Sequence, residues 1–487
     1  MASLHPMLQP FVATPADPWD RVKAAHLLNR AAWGGSPTEI DHVLEAGPHG
    51  AVDELLDFPD AASDVISKDG GPDLSQIEGY PKSFNDRQKL FVGKTPEERQ
   101  LINQRLNQAN QEALRTTATW WIRRMATGPY PLHEKLTFFW HGHFTTSARD
   151  ERSAWLMWSQ NELLRQHAAG NFGKFVHAIS HDPAMLDYLN NQQNRKAHPN
   201  ENYARELMEL FTLGIGNYTE TDVKEGARAF TGWAHDGEGF IFRKFDHDTG
   251  DKNFLGHRGN FDGDDVINII LQQRVCGTYI ASRLWHYFVN ENPDPAICQS
   301  LGDVLRDNDY ELRPVLRTML TSKAFYSADN VGSIIKSPVQ LVVGTVRALG
   351  VNVPDYGRMY GALEQMGQIP LQPPNVKGWP GGRLWINTST LFVRQNTAIW
   401  LAGGEAITSG KFRLDRMNER ARPNSPNIST TGDAEQIVDH WINRLIQRPI
   451  DPTRRDVLVQ SLGDKPNDAA IANMVKLILS MPEYQLC

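Results

Sequence analysis

The sequence predicts a mainly α-helical protein with a large multi-helix body, long irregular loops and little β-structure, followed by a small C-terminal helical module. Three observations lead to this fold class. Apolar residues recur three and four positions apart in most readable segments, which is the period of an amphipathic helix. Helix start and stop signals flank many of these segments, and strand-like alternation is rare.

The clearest helix begins after Thr95 and ends before Gly128. Thr95 is a suitable N-cap, Pro96 suits the first helical position, and the two glutamates that follow are favourable at a helix N-terminus. Similar signals predict helices within residues 17–34, 200–214, 219–233, 277–289, 337–350 and 433–449. Residues 239–256 predict at most a short hairpin beside a loop, because their phenylalanines alternate imperfectly.

The chain divides into three predicted parts. Residues 1–410 carry the longest helical patterns and all the motifs discussed below, so we assign them to one main helical domain. Residues 411–433 are rich in arginine, asparagine, serine and threonine, and they predict a linker. Residues 434–487 then form the C-terminal helical module.

Composition and charge limit the classes of function. Apolar residues make up 40% and charged residues 22% of the 487 residues, which is ordinary for a folded globular protein. The net charge of -7 at pH 7 offers no basic stripe for phosphates, so nucleic acid is a poor candidate partner. Cys276, Cys298 and Cys487 are too few and too irregularly spaced for a disulfide scaffold.

The sequence also bears on location. No segment approaches the roughly 18 consecutive apolar residues of a membrane-spanning helix. The N-terminal residues have neither a basic region followed by a long apolar core nor a twin-arginine pair, so no export signal is readable. We therefore expect a cytoplasmic protein, or a periplasmic or secreted one if a signal has been removed.

The stretch "FFWHGHFTTS" sets two histidines two positions apart among aromatic residues. On a helix such positions are turned about 200° apart, whereas on an extended segment they share a face. His141 and His143 can therefore act on one site only if the helix beginning near Pro131 has ended by Trp140. The glycine and hydroxyl residues of the motif favour such an end. The alternative is that both rings are hydrogen bonded to neighbouring backbone.

A second group of polar residues lies in "HPNENYARELMELFTLG". Glu201 and Arg205 are four positions apart, as in a helical ion pair, and Asn202 shares a polar stripe with Glu206. Glu206 borders the apolar stripe, where a low dielectric would raise its pKa and suit it to general acid work. The alternative is a solvated helix face with a single ion pair.

The loop "FDHDTGDKNFLGH" combines His247 and Asp248 with a second aspartate and a second histidine. Loops that carry both residue types often hold metal or catalytic groups. Asx turns explain the aspartates equally well. The chain has no HExxH, P-loop or GxSxG motif and no GxGxxG in a supporting context, which counts against the commonest hydrolase and nucleotide-binding classes.

A loop rich in proline and glycine follows residue 372. Rigid loops that present aromatic and cationic groups are more often sites than cores. The candidate ligand-binding residues of this loop are Lys377, Trp379, Arg383 and Trp385. Trp140 and Trp233 also fall inside polar motifs, where flat rings could stack on sugar faces, although tryptophan is equally a large core residue.

These stretches resemble a bacterial family known as "domain of unknown function 1800". The resemblance is carried by "HLLNRAAWGGSP", "EKLTFFWHGHF", "PNENYARELMELFTLGIGNYTETDVKEGARAFTGW", "HDTGDKNFLG" and "PPNVKGWPGGRLW", which span most of residues 25–400. The resemblance implies no established reaction. Members are often encoded beside a sulfatase-like family and often look exported, which implies work on anionic or polymeric substrates outside the cytoplasm. This chain departs from that pattern because it shows no readable export signal.

We consider three functions. The first is a glycosidase-like hydrolase that acts on a glycan or another polymeric or anionic substrate, for which paired carboxylates are the minimum requirement. Its candidate catalytic residues are Glu206 or Glu201 as acid or base, Asp248 as the opposing carboxylate, and His143. Its candidate substrate-binding residues are Trp140, Asn202, Arg205, Trp233, Lys377, Trp379, Arg383 and Trp385.

The second function is a metal-dependent enzyme in which His141, His143 and His247, together with a carboxylate, bind a divalent transition metal that keeps an open position. The third is a non-enzymatic binding partner of a sulfatase-like protein, with the proline and glycine loop as its docking surface. Both enzymatic hypotheses require that polar residues far apart in the chain meet in one cavity.

Overall fold

The computed structural model describes residues 3–59, 70–81, 84–151, 153–403, 432–463 and 466–487. Helices dominate these residues, so the predicted mainly α fold class is confirmed. The α-helices of the first half are Arg21–Ala31, Pro37–Leu56, Phe84–Lys89, Pro96–Thr127, Pro131–His143, Ala148–Glu151, Ala154–Gln166, Phe172–Ser180, Pro183–Tyr188, Asn202–Glu206 and Glu220–Ala229. Those of the second half are Gly263–Gln272, Arg274–Phe288, Pro295–Asp307, Leu312–Leu320, Pro338–Leu349, Gly357–Met366, Thr388–Leu401, Ala434–Leu445, Pro452–Leu462 and Asp468–Ser480.

The long helix Pro96–Thr127 forms as its sequence signals predict. Thr95 Oγ1 accepts a hydrogen bond from Glu98 N at 3.2 Å, and Glu98 Oε2 accepts one from Thr95 N at 2.9 Å. This reciprocal capping box satisfies two backbone donors that the first turn leaves free. At the other end Gly128 N donates to Arg124 O at 2.7 Å and closes the last turn.

The described β-structure consists of two short antiparallel hairpins. Strand Trp233–His235 pairs with Phe240–Phe242, in the register Trp233 to Phe242. Strand Lys252–Phe254 pairs with His257–Gly259. The hairpin expected within residues 239–256 therefore takes its partner strands from just outside that range.

Helix Pro131–His143 lies between two hydrophobic cores. The first core joins the N-terminal helices to helices between residues 154 and 326, and it includes Leu136 and Trp140. The second joins the long helix to the helices after residue 337, and it includes Phe138. A helix that faces a core on both sides is apolar nearly all round, which explains the aromatic character of the "FFWHGHFTTS" motif.

Helix Ala434–Leu445 packs on Pro338–Leu349, helix Asp468–Ser480 packs on Thr388–Leu401, and Pro452–Leu462 packs on both of these C-terminal helices. Their buried apolar residues, including Trp441, belong to the second core. The predicted linker at 411–433 lies outside the described residues except for its last two positions. The boundary that separates residues 1–410 from a module at 434–487 stays a prediction.

Candidate active site

Helix Pro131–His143 continues through both histidines of the aromatic motif. The prediction that it ends by Trp140 is wrong, because Trp140 O still accepts a hydrogen bond from Phe144 N at 2.7 Å. The hydroxyl residues follow Phe144, so they can end the helix at His143 but not at Trp140. The two imidazoles therefore leave the helix in different directions and do not share a site.

His141 is a buried structural residue, 1% exposed. Its Nε2 accepts a hydrogen bond from Leu371 N at 3.1 Å. Burial lowers the pKa of His141 to about 3, so the ring is neutral and can act as the acceptor. His141 thus holds the segment that precedes the proline and glycine loop against helix Pro131–His143, which we call the central helix.

His143 faces the other side of the helix. Its Nε2 lies 3.0 Å from Phe211 O, to which it donates as a neutral ring. Phe211 belongs to a π-helix, Leu207–Thr212, that directly follows Glu206. Burial lowers the pKa of His143 to about 3. Its Nδ1 is buried without a hydrogen-bond partner and is left as an acceptor at the wall of a cavity.

The predicted metal site is not formed. His247 Nδ1 lies 2.8 Å from Thr231 O, and both histidines of the central helix are engaged with different backbone groups. Over the ranges that the structure describes, no group of three or more His, Cys, Asp and Glu side chains is arranged to hold a metal ion. The assignment of His141, His143 and His247 to one metal was wrong because it required the helix to end early.

Two of the predicted tryptophan platforms are core residues. Trp140 is 0% exposed and donates from Nε1 to Ala168 O at 2.8 Å. Trp233 is 3% exposed and packs edge-on against Phe230. Neither ring has a free face, so the prediction that they stack on sugars is wrong. Packing between helices, which local polarity does not reveal, decided their burial.

The polar stripe of helix Asn202–Glu206 is partly occupied by ion pairs. Arg205 Nη2 lies 3.1 Å from Glu201 Oε2, which confirms the predicted pair, and Arg205 Nη1 lies 2.7 Å from Glu220 Oε1. Asn202 Nδ2 donates to Leu189 O at 3.2 Å. Glu201 and Arg205 are therefore ion-paired, whereas Asn202 and Glu206 line a cavity.

Asp248 is held by an arginine rather than facing a cavity. Arg228 Nε and Nη2 donate to its two carboxylate oxygens at 2.7 and 3.3 Å. Gly250 N donates to Oδ1 at 2.8 Å, as in an Asx turn. The hydrogen bonds from Arg228 and Gly250 lower the pKa of Asp248. Asp248 shares no described cavity with Glu206, so the two do not form the predicted carboxylate pair.

Glu206 instead lies on a groove that it shares with other carboxylates. One part of the groove has a volume of about 650 Å³ and is lined by Asp150, Glu151, Asp187, Tyr188, Asn202, Glu206 and residues 374–376. A second part, of about 180 Å³, is lined by Glu151 and Asp187 again, together with Tyr80, Phe84, Trp155 and His235. We call the two parts together the acidic groove.

Glu151 has the most strongly shifted carboxyl group of the acidic groove. Burial, together with the negative charges of Asp187 and Asp182, raises its pKa to about 9, while Arg87 opposes the rise. One of its oxygens, Oε2, is buried without a hydrogen-bond partner. Glu151 is therefore protonated at neutral pH, in contrast to a glutamate in water.

Asp187 lies beside a histidine whose orientation is fixed. His235 Nδ1 accepts a hydrogen bond from Gly237 N at 3.0 Å, so the ring proton of the neutral form is on Nε2. Nε2 lies 2.9 Å from Asp187 Oδ1. Asp187 thus has one oxygen turned toward a buried imidazole while its side chain remains 38% exposed to the groove.

Glu206 is half-buried at the opposite end of the groove. Burial and the nearby charge of Glu209 raise its pKa, while Lys377 and Arg205 oppose that rise. This is the direction expected for a carboxylate at the border of an apolar stripe. The charge of Lys377 acts on Glu206 from the proline and glycine loop, whose residues 374–376 line this part of the groove.

The proline and glycine loop also lines a separate cavity of about 300 Å³ on its other side. Gly378 has a φ of 78°, and a Cβ at this position would overlap Gly142 O of the central helix. Only glycine permits this close approach. We call this space the cationic cavity; its walls include Lys135, His143, Arg283, Lys377, Trp379 and Trp385. Arg383 is exposed and does not line it.

Several residues of these sites, among them four charged ones, were not singled out from the sequence. Glu151 and Asp187 lie on the short helices Ala148–Glu151 and Pro183–Tyr188, whose surroundings give no motif. Lys135 and Arg283 lie on buried helices. The available signal was a lone charge in an apolar helical stripe, as in "EKLTFFW", because such charges are costly unless they face a partner or a cavity.

The fold and the groove define a mainly helical protein that carries a carboxylate-lined groove beside a proline and glycine loop. The chain belongs to the family described as "Protein of unknown function (DUF1800)", whose model matches residues 26–486. Neither the curated proteins nor the solved structures yield a match. In the portion of the chain described, no helix is long and apolar enough to cross a membrane.

Proposed function

We propose that the protein is a hydrolase that cleaves glycosidic bonds of a polymeric carbohydrate in the acidic groove. The observation that carries the proposal is that Glu151, a buried carboxyl group with a raised pKa, lines one groove together with Asp187, whose side chain is 38% exposed. Pairs of carboxyl groups that differ in this way are the acid and base pairs of glycoside hydrolysis.

Glu151 is the proposed general acid. Its pKa of about 9 keeps the proton on the carboxyl group at neutral pH, where the reaction needs a donor. The O–H of Glu151 would protonate the glycosidic oxygen while the bond from the anomeric carbon to that oxygen breaks. Within the described residues one buried oxygen of Glu151 has no hydrogen-bond partner, so no described protein group competes there for the acid proton.

Asp187 is the proposed base. Its carboxylate would take a proton from the water that attacks the anomeric carbon, so that the leaving sugar gains one proton and the new hemiacetal gains the hydroxyl. His235 Nε2 lies 2.9 Å from one oxygen of Asp187 without the alignment of a hydrogen bond, and the side chain is 38% exposed, so water can reach the carboxylate. The charge of Asp187 also helps to keep Glu151 protonated.

The rest of the groove suits a chain of sugars. Trp155 is 44% exposed and lines the groove beside both carboxyl groups, where its ring can stack on a sugar face. Asn202 and Glu206 line the other end and offer hydrogen bonds to hydroxyl groups. In this proposal Trp155 replaces Trp140 and Trp233 as the platform, and Glu206 binds substrate.

The test is the release of reducing ends from a panel of neutral and acidic polysaccharides. We expect one polysaccharide to be cleaved by the wild type, and Glu151→Gln and Asp187→Asn each to lower kcat by about 10²- to 10⁴-fold. Cleavage should decline above about pH 9 as Glu151 loses its proton, and Glu151→Gln should remove that limb of the pH profile.

Asp439→Asn is the matched control, because Asp439 is ion-paired with Arg455 at 2.7 Å in the C-terminal helices, outside the groove. It should cleave as the wild type does. Circular dichroism and melting temperature establish that each variant is folded. No release from any polysaccharide, or full activity in folded Glu151→Gln, would overturn the proposal.

The third hypothesis, a non-enzymatic partner of a sulfatase-like protein, stays a prediction. No contact described here favours it over a hydrolase. Co-purification of the two proteins from cells that express both would support it, and the groove variants would then leave that association unchanged.

A further inference from the structure

The cationic cavity holds more positive than negative side chains. Arg283 and Lys377 line it beside Glu291, the one acidic side chain among its described lining residues, and burial lowers the pKa of the third basic residue, Lys135, to about 7. Lys135 Nζ is fixed by hydrogen bonds to Gln340 Oε1 at 2.6 Å and Asn29 O at 3.0 Å. A cavity with this balance of charge favours an anion.

Three residues that line the cavity each carry a buried polar atom without a hydrogen-bond partner within the described residues: His143 Nδ1, Arg283 Nε and Trp379 Nε1. His143 is 3% exposed, and its Nε2–H is already donated to Phe211 O. Its Nδ1 is therefore a fixed acceptor, whereas the arginine and tryptophan atoms are fixed donors. Buried polar atoms without partners are rare in native proteins and call for a ligand or water.

Two tryptophans give the cavity a flat apolar side. Trp379 stacks on Phe138 at a centroid distance of 5.3 Å and an angle of 13°, which holds its ring in place. Trp385 is buried and lines the same space. The volume of about 300 Å³ is at the lower end of the range for small-molecule sites.

We propose that the cationic cavity binds a small hydroxylated organic anion of the sugar-acid class. Arg283 and Lys377 receive the carboxylate or sulfate, His143 Nδ1 accepts a hydrogen bond from a hydroxyl group, and Trp379 donates to an oxygen. This site is separate from the acidic groove, and the proposal does not depend on the hydrolase activity.

Isothermal titration calorimetry with the full chain tests the proposal. Glucuronate and glucose 6-sulfate are the anionic probes, glucose is the neutral one, and inorganic sulfate tests the charge alone. We expect both anionic sugars to bind more tightly than glucose and inorganic sulfate. Arg283→Gln and Lys377→Gln should each weaken that binding about tenfold or more, since hydrogen bonds to charged groups contribute roughly 1.5–3 kcal/mol.

Arg274→Gln is the matched control. Arg274 lies on the same helix as Arg283 but is ion-paired with Asp303 at 2.8 Å and does not line the cavity. Its binding should equal that of the wild type. An acidic disaccharide titrated alongside distinguishes the end of a longer glycan from a free sugar acid, and tight binding of either supports the proposal.

Three outcomes would overturn it: equal affinity for glucose and glucuronate, unchanged affinity in folded Arg283→Gln and Lys377→Gln, or no heat from either anionic sugar. The measurement is independent of catalysis. Binding of sugar acids without release of reducing ends would support the cavity proposal and contradict the hydrolase proposal.

Discussion

Glu134 and Arg165 form a fully buried ion pair, in which Arg165 Nε and Nη2 donate to the two carboxylate oxygens at 2.9 and 3.0 Å. Arg124 donates to the same carboxylate. The pair ties the central helix to the helix Ala154–Gln166, just before the segment that carries the histidines. Burial alone would raise the pKa of Glu134, but the two arginines outweigh it and lower that pKa to about 2.

We predict that Glu134→Gln lowers the free energy of unfolding by roughly 3–5 kcal/mol, because it removes the buried carboxylate that Arg165 and Arg124 share and leaves Arg165 paired only with the partly exposed Glu162. Urea unfolding at pH 7 measures the change. Glu112→Gln, on the exposed side of the long helix, is the control and should unfold as the wild type does. If Glu134→Gln lowered the free energy of unfolding no more than the control does, the buried ion pair would not stabilise the fold as predicted.

The same carboxylate predicts acid sensitivity. The pKa of Glu134 is about 2 in the folded chain against 4.5 in the unfolded one, so its contribution is present above pH 4.5 and is lost as pH falls toward 2. We expect the wild type to lose stability more steeply than Glu134→Gln between pH 5 and pH 3. Parallel curves over this window would refute the assignment.

The raised pKa of Glu151 predicts the opposite pH dependence of the free energy of unfolding. Its pKa rises from 4.5 to about 9 on folding, so the favourable protonated state is fully available below pH 4.5 and stability is lost as pH rises toward 9. The slope approaches about 1.4 kcal/mol per pH unit where a full proton is released on unfolding. Glu151→Gln should be more stable than the wild type at pH 8 in urea unfolding, and equal or lower stability would count against a protonated Glu151.

The buried hydrogen bond of His141 predicts that removal of this side chain lowers the stability of the fold. His141→Ala removes the acceptor of Leu371 N and leaves a cavity, so we expect roughly 2–4 kcal/mol of destabilisation. His257→Ala is the control, since His257 is exposed on a hairpin. Thermal unfolding compares the two, and a melting temperature of His141→Ala that matches the control would show that the hydrogen bond contributes little.

The close contact of Gly378 with the central helix predicts that a larger residue at this position impairs both the acidic groove and the cationic cavity. A Cβ at Gly378 overlaps Gly142 O, whereas one at Gly381 meets nothing within 4 Å although φ is 72°. Gly378→Ala should therefore push the loop off the central helix and weaken both polysaccharide cleavage and sugar-acid binding. Gly381→Ala carries only the backbone strain of a positive φ, about 1 kcal/mol. Equal effects of the two substitutions would mean that the close contact is unimportant.

The candidate site was only partly accessible from the sequence. Glu206 and Asn202 were found because helical spacing places them on one stripe, and both line the acidic groove. Glu151 and Asp187 were not found, since each sits in a short helix without a motif. The pair Glu206 and Asp248 was expected to meet, but Arg228 holds Asp248 in its own loop. Spacing along one helix is local, whereas the meeting of two loops depends on packing.

By itself the sequence determined the mainly helical fold, the capping of the long helix at Thr95 and the ion pair between Glu201 and Arg205. Each of these depends on interactions within four residues, which periodicity and capping chemistry encode directly. Tertiary structure alone decided that His141 and His143 face different partners, that Trp140 is core, and that Glu151 meets Asp187. Those outcomes depend on contacts between distant segments, and burial there sets both the exposure of a ring and the protonation of a carboxyl group.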